Sequence, residues 1–308
     1  MKRRVAFVIG GVVACGLLAL TTLPSAAAPA APASAPAPRV EAPPPTPAAE
    51  RPTIVSGAPY RKTIGPLTIS IPADLAVLGG KVDLLVHFHG IPKCQENNLV
   101  ESGLGAVVVS VNEGEGSIAY KRYAEPGTLD RLVSFAKREL AASRRLPSSG
   151  VEIGRIALSS WSAGGAATQS ILARESARID AVIVADGIFS TYTDRRRHAI
   201  DPRPLAPIVD YARRAASGEK LFLLTHTDII PNDYPNVDEC ARHVLSALGL
   251  AKGPPPSSSP SGVGAPLYGV SRGDLQITGF KGRRAPDHAA QLYALDDAYR
   301  KLRQRWGH

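Results

Sequence analysis

The sequence predicts an α/β domain built as a three-layer sandwich, with a mainly parallel central sheet held between helices. From about residue 60 onward, short apolar runs alternate with stretches of helical period, the rhythm that produces successive strand–helix–strand units. Most of these runs are continuously apolar, as strands covered on both faces should be. The length of 308 residues and a hydrophobic content of 44% with few aromatics suit one large domain with an Ala/Val/Leu-rich core.

Taken in order, residues 1–28 read as an export signal. Lys2-Arg3-Arg4 is a positive start, an apolar run follows from Val5 to Leu20, and Pro24-Ser25-Ala26-Ala27-Ala28 supplies small residues for cleavage. Val12-Val13-Ala14-Cys15 offers an alternative, lipidation at Cys15, and only that would bring the chain into membrane contact. Residues 29–59 are an Ala/Pro-rich linker, too poor in large apolar side chains to offset its ordering entropy. Residues 60–308 form the folded domain. Strand candidates lie at 67–71, 82–88, 106–111, 155–159, 181–185, 220–225 and 275–280. The helix candidate at 128–143 places Leu129, Leu132, Val133, Ala136 and Leu140 on one face, with Asp130 near its start and Arg144-Arg145 at its end. Further helices follow Ser162, run over 237–248, and close the chain over 287–306. The Pro/Ser stretch at 253–260 is a loop inside the domain.

The formal charge of +9 is scattered, apart from Arg195-Arg196-Arg197-His198. No basic stripe with interleaved aromatics is present, which argues against nucleic acid as a partner. The His/Cys/Asp spacings lack a zinc pattern, and no phosphate-cradling glycine loop occurs, so neither a metal nor another cofactor is expected. Cys94 and Cys240 both follow strand candidates. They could form one bridge in an oxidising compartment or stay as separate buried thiols.

The sharpest local signal is Ile156-Ala157-Leu158-Ser159-Ser160-Trp161-Ser162-Ala163-Gly164-Gly165, an apolar strand entering a small-residue turn ahead of an Ala-rich helix. A nucleophile at Ser162 sits on a strained turn that needs small side chains two positions to either side, here Ser160 and Gly164. The helix start then offers N–H groups for developing negative charge. Trp161 beside it reads as packing.

These residues resemble the nucleophile elbow of the α/β-hydrolase family, with Ser160 where the family motif Gly-x-Ser-x-Gly has its first glycine. The resemblance implies an α/β-hydrolase-like fold and a serine hydrolase cleaving a small-molecule or polymeric carboxylic ester. It also implies oxyanion N–H groups at Ala163 and at Ile91, the latter following His89-Gly90 at the end of the 82–88 strand, with His89 hydrogen-bonding that loop. In the family the general base lies between the last strand and the last helix. His288 matches, with His226 its competitor. Two acids end strands, Asp186 and Asp228, and either completes the order nucleophile, acid, histidine; Asp186 is preferred by a small margin. The segment 190–218 stands where the family inserts a cap, and its shortness implies an accessible site. An amidase or peptidase with the same triad, or a catalytically silent binding protein of this fold, are the rival readings.

Overall fold

The computed structural model describes residues 51–146, 152–196 and 198–308. The expected signal segment, Cys15 and most of the linker lie outside the described residues. In chain order the elements are β1 (Thr53–Ser56), β2 (Tyr60–Ile64), β3 (Leu67–Ile71), β4 (Asp74–Leu78), β5 (Lys81–Phe88), α1 (Pro92–Ser102), β6 (Val107–Val111), α2 (Ser117–Tyr120), α3 (Thr128–Ala142) and β7 (Glu152–Trp161). They continue with α4 (Gly165–Glu175), β8 (Ala181–Ala185), β9 (Tyr192–Asp194), β10 (Ala199–Ile200), α5 (Ala206–Ala216), β11 (Leu221–His226), α6 (Val237–Ala247), β12 (Pro266–Arg272), β13 (Leu275–Phe280), α7 (Ala285–Tyr293) and α8 (Leu295–Trp306).

The main sheet runs β12-β13-β11-β8-β7-β5-β6-β3-β2, with β4 pairing β5 and β1 pairing β4. The block β13-β11-β8-β7-β5-β6 is parallel throughout, and the outer strands are antiparallel. All the continuously apolar runs expected from the sequence are strands. Their composition follows from burial on both faces, with successive side chains alternating between two cores. In β5, Val86 and Phe88 join a core with α3, α4, α5 and α6, whereas Leu85 joins a second core with α1, α7 and α8. In β8, Val182 and Val184 face the first core, and Ala181, Ile183 and Ala185 face the second. The three layers are thus those the sequence predicts.

Several details differ. β1 lies inside the stretch expected to be linker, where Thr53–Ser56 pairs antiparallel with β4. Arg145 holds this strand by donating to the carbonyls of Val55 and Ala58, at 2.8 Å each. The closing helix is two, α7 and α8, meeting at Ala294. Cys94 and Cys240 are not bridged; both are free buried thiols. Cys94 on α1 belongs to one core and Cys240 on α6 to the other, so the sheet separates them. Their shared position near strand ends says nothing about which face each occupies.

Candidate active site

Because the central strands are parallel, the loops after β5, β7, β8, β11 and β13 leave from one edge, where ligands of such sheets bind. Left-handed backbone marks this edge: His89, Ser162 and Asp186 have φ of 71°, 48° and 51°. Each is the first residue past its strand. For a residue with a Cβ this conformation costs roughly 1–2 kcal/mol, so the surroundings must impose it.

Glycines do so. A Cβ on Gly164 would stand 2.1 Å from the Phe88 carbonyl oxygen, and one on Gly165 only 1.4 Å from that of Gly187. A Cβ on Gly187 would meet the Ser162 carbonyl oxygen at 2.4 Å. The ends of β5, β7 and β8 therefore touch backbone to backbone around the Ser162 turn, and α4 starts directly behind it. Ser160 is fully buried inside β7, paired with Phe88 and Val184 on its two sides, a place where a small side chain fits. A parallel sheet between helix layers, with a strained serine between β7 and α4, completes the pattern. The arrangement is the α/β-hydrolase-like one that the sequence predicts.

In the candidate site, His288 lies in the first turns of α7, and its Nδ1 is 2.7 Å from Asp186 Oδ2. A carboxylate only accepts, so Nδ1 carries the proton and the Nε2 of the neutral ring is left as an acceptor. Asp186 is buried and also accepts from the Thr227 N–H (3.1 Å) and hydroxyl (2.6 Å). Its own N–H donates to the Thr225 carbonyl at 2.7 Å, prolonging the β8–β11 ladder. Asp228 does other work. One oxygen accepts from the Gly282 N–H at 2.6 Å and the other from Arg283 Nε at 3.0 Å, tying the β11 loop to the segment before α7. These bonds hold its carboxyl below the usual range, against a desolvation that acts the other way. His226 is buried between the Thr227 carbonyl at 2.8 Å and the Tyr268 hydroxyl at 2.7 Å.

Ser162 and His288 line one cavity of about 930 Å³, together with Ala163, His89, Trp161 and one face of α4 at Ala166, Ser170 and Ala173. The expected oxyanion donors are placed differently from each other. Ala163 is in the cavity wall, whereas Ile91, just before α1, is 55% exposed and outside that wall. His89 was expected to bond its own loop. Instead its Nδ1 pairs with the Tyr120 hydroxyl on α2 at 3.0 Å, and it lines the cavity. The loop bond comes from His87, whose Nε2 donates to the His89 carbonyl at 2.7 Å. The segment after β8 contributes Phe189, Ser190, Thr191 and Arg203 to the lining of the same cavity; the small β9–β10 hairpin is its only sheet structure among the described residues.

No family model matches the chain, and no curated protein matches it. Solved structures that are similar include an acylaminoacyl peptidase from Pyrococcus horikoshii, at 16% identity and TM-score 0.42. That match covers 83% of this chain but only 41% of the peptidase. An acetyl xylan esterase from Aspergillus awamori is similar at 14% identity and TM-score 0.43, covering 76% of this chain and 97% of the esterase. The BES protein from Bacillus cereus is similar at 13% identity and TM-score 0.44, covering 82% and 98%.

Proposed function

We propose that this protein is an exported serine hydrolase that cleaves carboxylic esters through an acyl-enzyme. The observation that carries the reading is the 2.7 Å His288–Asp186 bond, with His288 and the strained Ser162 lining the same cavity. His288 Nε2 takes the proton of Ser162 Oγ as the oxygen attacks the ester carbonyl carbon. Asp186 holds the ring in the required tautomer and stabilises the imidazolium. The tetrahedral oxyanion is met by the N–H of Ala163, with Ile91 the second proposed donor. The C–O bond to the alcohol breaks, and the alcohol leaves with the proton from Nε2. Water then attacks the acyl carbon, giving a proton to Nε2; the acyl C–Oγ bond breaks, Nε2 returns that proton to Ser162 Oγ, and the acid leaves. The export signal and, if Cys15 is lipidated, a membrane anchor belong to the same proposal.

A fluorophosphonate probe should label the wild type and not Ser162→Ala, with p-nitrophenyl acetate turnover lost in the same variant. Labelling of Ser162→Ala, or its absence from the wild type, would overturn the assignment. Faster turnover of p-nitrophenyl esters than of matched anilides is expected; the reverse preference would replace the ester with an amide.

A further inference from the structure

Trp161 stands just ahead of the nucleophile and touches both other parts of the site. Its ring is stacked on His89 with centroids 5.0 Å apart and planes at 8°, and lies 4.7 Å from the His288 ring at 33°. Its Nε1 donates to the His288 carbonyl at 2.9 Å. A Cβ on Gly90 would stand 3.6 Å from the indole, an ordinary van der Waals distance, so the loop after β5 lies beside it as well. The indole is only partly buried and forms part of the cavity wall. Packing alone needs no hydrogen bond to a histidine carbonyl and no ring faced by two imidazoles.

We infer that Trp161 is a positioning residue that holds the His288 main chain through Nε1 and stabilises the His288 imidazolium through the face of its indole. This rests on the proposed role of His288 as general base. A cation within about 6 Å of an indole centroid is attracted by its negative π face. The neutral ring gains less, so the interaction strengthens as His288 takes the serine proton. His89, stacked on the same indole, is kept below the ordinary histidine pKa mainly by burial and secondly by repulsion from His288. Other polar and charged groups near His288 are Asp186 just past β8, Thr227 just past β11, the Asp287–Arg284 pair at the start of α7, and the Asp228–Arg283 pair that joins the loop after β11 to the segment before α7. Trp161 thus supplies the aromatic face in a setting whose main negative partner is Asp186.

The test is the pH dependence of kcat/KM for p-nitrophenyl acetate in Trp161→Leu and Trp161→Phe, with circular dichroism and melting to show that both fold. In Trp161→Leu, the acid limb should move to lower pH by about half a unit, from the loss of a cation–π interaction. The rate on the plateau should fall about tenfold or more. In Trp161→Phe the limb should stay near its wild-type position, because a ring face remains, while the plateau falls through loss of the Nε1 donor. A limb that does not move in Trp161→Leu, or moves equally in both variants, overturns the inference and leaves the triad reading intact. A wild type without esterase activity or fluorophosphonate labelling fails the triad reading itself.

Discussion

Replacing Asp186 by Asn probes the site most sharply, because all three of its partners are donors. Oδ2 accepts from His288 Nδ1 and the Thr227 hydroxyl, and Oδ1 from the Thr227 N–H. An amide has one acceptor oxygen and one donor nitrogen. If its nitrogen faces His288, the imidazole must accept at Nδ1 and carry its proton on Nε2, toward Ser162, where it cannot act as a base. If the nitrogen turns toward the Thr227 N–H, two donors meet inside a buried pocket, at about 1–3 kcal/mol. The first orientation is the cheaper, since the ring can change tautomer and the backbone N–H cannot. Loss of the correct tautomer in a serine hydrolase triad lowers kcat by about 10⁴, or about 5.4 kcal/mol of barrier. The assay is kcat for p-nitrophenyl acetate, with a thermal melt in parallel. Asp228→Asn serves as control, because its carboxylate bonds Gly282 and Arg283 rather than the His288 ring and should lose less than about tenfold in rate. Asp186→Asn within tenfold of wild type, or equal losses in the two variants, would refute the reasoning.

Gly165→Ala should abolish activity and lower the melting temperature, since its Cβ would stand 1.4 Å from the Gly187 carbonyl oxygen and force the start of α4 away from the loop after β8; a near-normal melt measured by calorimetry would contradict the packing. Acidification should destabilise the fold between about pH 6.5 and 3. Burial pushes His87 down to about 3, so in that window the unfolded chain binds a proton that the native chain refuses. Stability is complete above the unfolded value and falls by up to about 1.4 kcal/mol per pH unit as pH drops. Buried His226 is shifted the same way, so His87→Gln should flatten the slope in urea titrations without abolishing it; an unchanged slope would count against a neutral His87. Ellman's reagent should leave Cys94 and Cys240 unmodified in the native protein and label both after unfolding. Both thiols are buried and raised in pKa by burial, Cys240 to about 12. Native labelling, or a melting point lowered by dithiothreitol, would show otherwise.

The parallel core was legible because burial on both faces leaves an unmistakable trace: 181–185 contains no polar residue at all. The serine turn was legible for a related reason, since backbone contact excludes side chains and leaves Gly164 and Gly165 behind. Helix α1 was not seen. Its buried positions include Gln95, Asn98 and Ser102, so its inward face carries no apolar period. Gln95 accepts from the Tyr299 hydroxyl at 2.7 Å, and Asn98 donates to the Leu292 carbonyl at 3.0 Å, long-range bonds that local sequence cannot announce. β2 and β12 were missed because they are edge strands with charged or Pro/Gly-containing sequences, held by antiparallel pairing. The two aspartates could not be separated by pattern, because both close a strand. What distinguishes them is the group that meets each: an imidazole from the first turns of α7 for Asp186, an arginine from the loop before α7 for Asp228. The participation of His89 and Trp161 in the cavity wall depends on ring orientations that emerge only once the strands are aligned.

The pairing of Trp161 with Ala185 across β7 and β8 has a broader meaning for how this protein can change. Ser162 and Asp186 are the next residue along each chain, so their alignment is inherited from the ladder. Sliding one strand by a single residue would displace them by about 3.3 Å and turn alternate side chains to the opposite core. Insertions near 190 or 203, where the segment after β8 reaches the cavity wall, can alter which molecules enter the cavity while leaving that alignment untouched. An added or deleted residue within β7 or β8 cannot, so variation in this lineage should accumulate around the mouth of the site and spare the strands beneath it.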